Sequence, residues 1–174
     1  MTDFIRKKFD VEDPDKTTTI RMDEKPPRPG GEGDAIFLIG LSGCGKSAVA
    51  TRLAQELSGH AAELPLEDPD GVLSTILAAP GGPAVIAVPH KLLTIEPLRQ
   101  RIRAAGRVLY LMTDVSILAE RLAASPEETE AQRKHLGHQR TAFEPLFMQS
   151  LHLLVPADGP LDAVVADALE RLRQ

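Results

Sequence analysis

The sequence predicts an α/β protein, a three-layer sandwich in which helices cover both faces of a five-stranded parallel sheet. Three observations lead to this fold class. The chain of 174 residues is 43% hydrophobic and 26% charged, as is typical of one soluble globular domain. Its apolar residues fall into short continuous runs that alternate with longer segments of helical spacing. Strands separated by helices form parallel sheets with right-handed crossovers, which gives the sandwich.

The chain divides near residue 34. Residues 1–33 are rich in charge and end in the stretch from Lys25 to Gly33, whose prolines and glycines suit neither a helix nor a sheet. We expect a flexible leader here, although Thr17 to Met22 has a strand-like composition. Residues 34–174 are predicted to form the folded domain.

The first predicted strand and helix show the alternation most clearly. Residues 35–39 are a continuous apolar run, as expected of a strand that is buried on both faces. Residues 46–58 have apolar positions three and four apart, such as Leu53 and Leu57, and Gly59 is suited to end this helix.

The remaining elements show the same pattern of short apolar runs and longer helical segments. The further predicted strands are 62–66, 84–88, 108–112 and 151–155, and the further predicted helices are 71–79, 94–105, 116–124, 134–149 and 161–172.

Charge and cysteine content exclude several classes of function. The net charge of −5 argues against the basic surface that a nucleic-acid partner requires. The only cysteine is Cys44, so an internal disulfide or a cysteine-built zinc site is excluded and a reducing compartment is favoured. No apolar run approaches the ~20 residues that cross a bilayer, and the amino terminus lacks the apolar centre of a signal peptide. We expect a cytoplasmic protein with no membrane partner.

Residues 40–47 carry the strongest functional signal. They read Gly-Leu-Ser-Gly-Cys-Gly-Lys-Ser, a full match to the Walker A phosphate-loop pattern, and they join an apolar strand to a helix. In such a loop the backbone N–H groups and the helix amino terminus bind phosphate. The pattern predicts that Lys46 contacts the β- and γ-phosphates and that the Ser47 hydroxyl binds Mg²⁺.

The whole loop is predicted to bind a nucleoside triphosphate, and the fold is predicted to be that of the P-loop nucleoside triphosphate hydrolases. The residues assigned to the nucleotide are Gly40, Ser42, Gly43, Cys44, Gly45, Lys46, Ser47 and Ala48. Cys44 has two interpretations: a thiol activated by the helix start, or a small residue that fits a crowded turn.

The loop and the segments flanking it resemble the shikimate kinase family, within the nucleoside-monophosphate-kinase-like P-loop enzymes. The likeness covers residues 35–173 and includes the first strand and loop, the first helix from Arg52 to Leu57, and the stretch Glu144-Pro145-Leu146-Phe147, which is similar to the family's E-P-L-Y. The resemblance implies ATP and Mg²⁺ as ligands and phosphoryl transfer to a small hydroxylated acceptor.

The stretch from Leu64 to Asp70 is similar to the family's strand that ends in D-x-D. By this resemblance Asp68 helps to hold Mg²⁺, and Asp70 contacts the acceptor hydroxyl. Carboxylates past the end of a strand do lie beside a phosphate loop in such sheets. Two alternatives stay open: the segment is also good turn chemistry with Asp70 as a helix cap, and Glu67 could replace the metal-side aspartate.

The departures from the family fall on the acceptor side. Only residues 71–83 separate Asp70 from the third strand, where shikimate kinases have a long substrate-binding region with an arginine. The family's glycine triplet after the third strand is replaced by Val88-Pro89-His90-Lys91, where His90 and Lys91 bind an anionic substrate or simply end the strand. The arginine expected before E-P-L-Y is Phe143, with Arg140 one helical turn earlier.

A lid segment is predicted between Ala123 and Arg140. Kinases of this type close an arginine-bearing segment over the nucleotide, and Arg133 and Arg140 are the predicted catalytic arginines, with Lys134 as a further candidate. The same residues also fit a solvated helix with favourable charge order. The sequence therefore supports three functions: a small-molecule kinase, a nucleotide-binding regulatory or partner-binding protein without turnover, and, with less support, a nucleotide-hydrolysing switch.

Overall fold

The computed structural model describes residues 34–174, so the predictions for the leader lie outside the described residues. All five strands of the described part pair in parallel in one sheet, which confirms the predicted fold class. The strands are β1 (Ala35–Ile39), β2 (His60–Glu63), β3 (Ala84–Ala87), β4 (Gly106–Met112) and β5 (Leu153–Pro156), in the order β2-β3-β1-β4-β5.

Helices cover both faces of this sheet. The α-helices are α1 (Lys46–Glu56), α2 (Pro69–Ala78), α3 (Glu96–Ala105), α4 (Val115–Leu122), α5 (Pro126–Ser150) and α6 (Leu161–Arg173), and a 3₁₀ helix spans His90–Thr94. The helix α1 packs on β2, β3 and α6, whereas α3 packs on β4 and α5. No helix within residues 34–174 is long and apolar enough to cross a membrane.

The centre of the core is β1, which pairs with β3 on one side and β4 on the other. All five of its residues are buried, and Phe37, Leu38 and Ile39 are fully inaccessible to solvent. Strand order reverses at β1, and in open parallel sheets ligands bind beyond the carboxyl ends of the strands at such a point. The fold therefore places the most favourable binding position directly after Ile39.

The second strand lies earlier in the chain than predicted. It spans His60–Glu63 rather than 62–66, with alternating half-buried and exposed side chains, because it is an edge strand. The Leu64 N–H still donates to the Ala87 carbonyl at 3.0 Å, but Pro65 has no N–H with which to continue the ladder. This shift makes Glu63, and not a later residue, the carboxylate at the carboxyl end of the strand.

The helix α5 begins at Pro126, well before the predicted start at residue 134. Two reciprocal hydrogen bonds cap its amino end. The Glu128 N–H donates to the Ser125 hydroxyl at 3.3 Å, and the Glu128 carboxylate accepts from the Ala124 N–H at 2.9 Å. Proline at the first position and acidic residues in the first turn add to this start signal. The predicted lid segment is thus helical over most of its length.

Candidate phosphate-binding site

The loop between β1 and α1 has the backbone that its glycines predict. Gly40, Gly43 and Gly45 have φ angles of 149°, 82° and 91°, all in the region that favours glycine. A Cβ atom on Gly40 would lie 2.8 Å from both the Cys44 Sγ and the Leu111 carbonyl oxygen. The loop can approach β4 this closely only because Gly40 has no side chain.

Lys46 and Ser47, the first two residues of α1, face this loop. The Lys46 ammonium donates to the carbonyl oxygens of Gly40 at 2.9 Å and Leu41 at 3.0 Å, so it spans the loop from within. The Ser47 hydroxyl donates to the Glu63 carboxylate at 3.3 Å. Helix α1 and strand β2 together place a hydroxyl and a carboxylate side by side at the loop.

Two cavities adjoin the loop. The larger, of about 480 Å³, has mixed walls: the polar or charged side chains of Ser42, Lys46, Ser47, Glu63 and Arg121 line it together with Gly43, Gly45, Ala48 and Leu122. The smaller, of about 210 Å³, has mostly apolar walls and is lined by Gly43, Cys44, Gly45, Ala48, Val49, Arg121, Ala157, Gly159, Leu161 and Val164. A cavity that contains the charged groups of Lys46 and Glu63, beside one with mostly apolar walls, suits a ligand with a phosphate chain and a flat ring.

Arg121 joins the two cavities. Its guanidinium donates to the Gly43 carbonyl at 3.2 Å and to the Ala157 carbonyl at 3.4 Å. The sequence prediction placed this residue in a helix and gave it no role. The sequence held a signal for this, because α4 comes directly after β4, the neighbour of β1, and so begins at the same edge of the sheet as the loop.

The oxygens of Ser47 and Glu63 fit a hard divalent cation such as Mg²⁺. Mg²⁺ is usually held by one or two protein oxygens, with phosphate and water completing the octahedron. No cluster of three or more histidine, cysteine, aspartate or glutamate side chains suited to a metal occurs among residues 34–174. The site therefore fits a cation that arrives with a phosphate ligand rather than one held by the protein alone.

The structure places Asp68 and Asp70 away from this pair. Asp68 caps α2, where its carboxylate accepts from the Gly71 N–H at 3.2 Å, and Asp70 forms an ion pair of 2.6 Å with Arg101 on α3. Neither lines the phosphate cavity. The prediction took the D-x-D likeness from residues after β2 has ended, and Glu63 occupies the position at the end of the strand.

The predicted lid arginines also have other partners in this structure. Arg133 pairs with Glu130 at 3.2 Å on the exposed part of α5. Arg140 donates to the Thr113 carbonyl at 2.7 Å and lies 3.7 Å from the Glu144 carboxylate, which ties α5 to the end of β4. Neither arginine lines the phosphate cavity, whereas Arg121 does.

Aromatic side chains fill the space between the end of β3 and α5. His90 meets Phe143 edge to face, with ring centroids 4.6 Å apart and an interplanar angle of 84°. Phe143 is stacked on Phe147 at 6.3 Å, and Phe147 on Tyr110 at 4.8 Å. Burial, together with the hydrogen bond to Glu144, raises the pKa of Tyr110 and keeps this phenol neutral.

Cys44 packs inside the loop. It is 3% exposed, and its thiol lies 3.8 Å from the Lys46 ammonium. Burial raises the pKa of the thiol despite the nearby positive charge. This environment supports the interpretation of Cys44 as a small residue in a crowded turn, because the nucleophilic form of a cysteine is the thiolate.

Comparisons with known proteins found similar sequences and similar folds. No protein-family model matches the chain. The shikimate kinase 2 of Dickeya chrysanthemi is 26% identical over 167 residues, which covers 80% of this chain and 96% of that protein. The shikimate kinase 2 of Yersinia enterocolitica is 29% identical over 174 aligned residues, covering 79% of this chain and 94% of that protein.

A likeness in fold extends to solved structures. The crystal structure of a shikimate kinase from Bacteroides thetaiotaomicron has a TM-score of 0.67 at 15% identity, over 80% of this chain and 98% of that one. The resemblance predicted from the loop and the flanking segments is confirmed by these relatives.

Proposed function

Because this chain is related to the shikimate kinases, we propose that it binds Mg-ATP at the loop after β1 and transfers the γ-phosphoryl group to a small hydroxylated acceptor. The observation that supports this most directly is the pair formed by Ser47 and Glu63 beside Lys46, 3.3 Å between hydroxyl and carboxylate oxygens. A hydroxyl, a carboxylate and an ammonium at a phosphate loop are the groups that phosphoryl transfer requires.

The parts of the nucleotide have distinct places in this proposal. The base lies in the smaller, mostly apolar cavity between α1 and α6, and the phosphates lie in the larger cavity, beside Lys46 and the loop N–H groups. Arg121, at the junction, neutralises charge on the phosphate chain. Lys46 exchanges the Gly40 and Leu41 carbonyls for phosphate oxygens when the ligand binds.

Ser47 and Glu63 would hold Mg²⁺ together with phosphate oxygens. When bound, the ion neutralises charge on the β- and γ-phosphates. Glu63 thus takes the metal-side role that the sequence predicted for Asp68.

The residues on the side of the proposed acceptor differ from those of the family. The family's long substrate-binding region, whose arginine binds the shikimate carboxylate, is missing here, and the arginine expected before E-P-L-Y is Phe143, whose ring packs on His90. The segment between β2 and β3 forms only the short helix α2. We infer that the acceptor carries hydroxyl groups and does not depend on a carboxylate for recognition.

The roles predicted for Asp70, Arg133 and Arg140 require movement. Asp70 would have to leave Arg101, and the arginines would have to leave the partners on or beside α5 described above. Closure of such segments over a bound nucleotide is common in kinases. These roles stay predictions for the closed state.

A second function has its own support. The ion pair of Asp70 and the packing of His90 on Phe143 occupy the residues expected to serve the acceptor. A nucleotide-binding regulatory protein would bind ATP through the same loop without acceptor-dependent turnover. A cytoplasmic location is proposed for either function, on the basis of the single cysteine.

The experiment that tests the proposal measures ATP binding and then ADP release from Mg-ATP, with and without a panel of hydroxylated metabolites that includes shikimate. Acceptor-dependent ADP release supports the kinase. ATP binding without release supports the regulatory function. If Lys46→Ala binds ATP as tightly as the wild type, the assignment of the phosphate loop is wrong.

A further inference from the structure

The side chain of His90 is buried without the hydrogen bond that its ring needs. It is 6% exposed, and within the described part of the chain its Nε2 atom has no hydrogen-bond partner. A buried polar atom without a hydrogen-bond partner destabilises the folded state. Such a group calls for an explanation, and the roles proposed above give His90 none.

His90 lies at the same edge of the sheet as the phosphate loop. Strand β3 is the neighbour of β1, and the Val88 N–H donates to the Leu38 carbonyl at 2.9 Å, one residue before β1 ends. The chain from β3 therefore leaves the sheet beside the start of the loop, and His90 comes two residues after Val88.

The ring is fixed from the other side by α5. Its edge-to-face contact with Phe143 joins it to the row of stacked rings that ends at Tyr110. The 3₁₀ helix that begins at His90 also packs on α3 and α5. These contacts hold the ring in place at the edge of the sheet where the phosphate loop begins.

The charges that act on the ring are positive. Burial lowers the pKa of His90, and the charges of Lys46 and Lys91 lower it further. Three further charged groups of the packed elements have protein partners: Arg99 of α3 donates to the Leu93 carbonyl, Arg140 of α5 to the Thr113 carbonyl, and Glu144 of α5 accepts from Tyr110.

We propose that His90 is a ligand of the terminal phosphate of the bound nucleotide, and that a phosphate oxygen becomes the partner its ring lacks. The inference deepens the proposed function and rests on it. When Lys46 leaves the carbonyls of Gly40 and Leu41 for the phosphates, the imidazole joins it from the β3 side. The contact is non-covalent and forms no new bond.

Proton uptake is a consequence of this placement. The anionic phosphates offset the charges of Lys46 and Lys91, so the pKa of His90 rises on binding. By linkage, ATP binds more tightly as the pH falls toward the range in which the ring gains its proton. ADP, which lacks the terminal phosphate, shows less of this effect.

The test compares the dissociation constants of Mg-ATP and Mg-ADP for the wild type and for His90→Phe. Phenylalanine keeps the aromatic contact with Phe143 and removes both ring nitrogens. We expect ATP affinity to fall about tenfold, the loss of one charge-assisted hydrogen bond, and ADP affinity to change by less than about twofold. Unchanged affinity for both nucleotides, or equal losses for both, overturns the inference.

A second measurement does not depend on the variant folding. Calorimetric titration of the wild type at pH 6 in two buffers of different ionisation enthalpy counts the protons taken up on binding. More protons with ATP than with ADP support the inference, and equal numbers overturn it. If the wild type binds no ATP, both the proposed function and the role of His90 are wrong. If the wild type binds ATP and His90→Phe binds it equally well, only the role of His90 is wrong.

Discussion

At the scale of single residues, we expect substitutions of Glu63 and Asp68 to have different effects on ATP affinity. Glu63→Gln removes the charge beside Ser47 and should weaken Mg²⁺-dependent ATP binding by about tenfold or more, because a carboxylate is a far better Mg²⁺ ligand than an amide. Asp68→Asn keeps a side-chain oxygen at the cap of α2 and should leave ATP affinity unchanged. ATP titrations with and without Mg²⁺ measure both. A larger loss in Asp68→Asn would favour Asp68 as the metal ligand.

Gly40 tests the backbone of the loop. Gly40→Ala would place a Cβ atom against the Leu111 carbonyl and force an L-residue into a φ of 149°. We therefore expect the free energy of unfolding to fall by at least about 2 kcal/mol, and we expect nucleotide binding to be lost as well. Gly137→Ala is the matched control, because its Cβ meets nothing in the middle of α5. That change should stabilise the fold by about 0.5–1 kcal/mol. Urea unfolding measures both changes. Equal stability of the two variants would contradict the prediction that a side chain at Gly40 strains the loop.

The same residues show what the sequence alone can predict of the site. Gly40, Lys46 and Ser47 belong to a local pattern whose geometry depends on the next few residues, so their places were predictable. The pairing of Ser47 with Glu63 depends on where β2 ends, and the polar edge strand had no apolar run to mark that end. Arg121 and Phe143 act across the fold, between elements far apart in the sequence.

At the scale of helices and strands, Arg103 supports the carboxyl end of α5. Its guanidinium on α3 donates to the carbonyls of Gln149 at 3.0 Å, Ser150 at 3.2 Å and Leu151 at 3.0 Å. Arg103→Ala leaves these carbonyls to water and should cost about 1–2 kcal/mol. Arg133→Ala, which breaks an exposed pair on the same helix, should cost less than about 0.5 kcal/mol. Urea unfolding of both variants measures these losses of stability. Equal losses would contradict a capping role for Arg103.

His152 makes the junction of β4 and β5 sensitive to pH. Its Nδ1 accepts the Val108 N–H at 3.0 Å, a bond that only an unprotonated Nδ1 can form. Burial, and then the charges of Arg103 and Arg107, lower the pKa of His152 below its ordinary value of 6.5.

The direction of this pKa change sets the sign of the effect on stability. Above pH 6.5 the ring is neutral in both the folded and the unfolded chain, and its contribution to stability is complete. As the pH falls below 6.5 the unfolded chain gains the proton first, so stability is lost. Thermal unfolding from pH 7.5 to pH 5 should show a steeper loss in the wild type than in His152→Asn, whose amide does not titrate. Parallel curves would contradict this role.

At the scale of the whole molecule, the alternation of apolar runs and helical segments was enough to predict the fold. It yielded five strands and their parallel arrangement, because crossovers by helices allow little else. The start of α5 and the end of β2 were predicted wrongly, and each has a local cause: the capping box at Ser125 and the break at Pro65. The contact of His90 with Phe143 was harder to predict, since it joins the end of β3 to a helix far along the chain.

Binding of Mg-ATP should stabilise the entire domain. A ligand at about a hundred times its dissociation constant adds about 2.7 kcal/mol, which raises the melting temperature of a domain of this size by several degrees. A thermal-shift titration measures this. Lys46→Ala should abolish the shift; a shift that persists in this variant would indicate a second nucleotide site.

The place of β1 in the sheet order has a consequence for the assembly of the protein during synthesis. Both neighbours of β1, the strands β3 and β4, lie later in the chain, so the ribosome must complete residues up to Ala87 before β1 can pair on one side and up to Met112 before it can pair on both. Closing such long loops is slow. The phosphate loop directly follows β1, the central strand of the sheet. Because the loop depends on this strand, nucleotide binding should not recover during refolding before the sheet has formed. Affinity for ATP would then serve as a report that the nascent domain is finished.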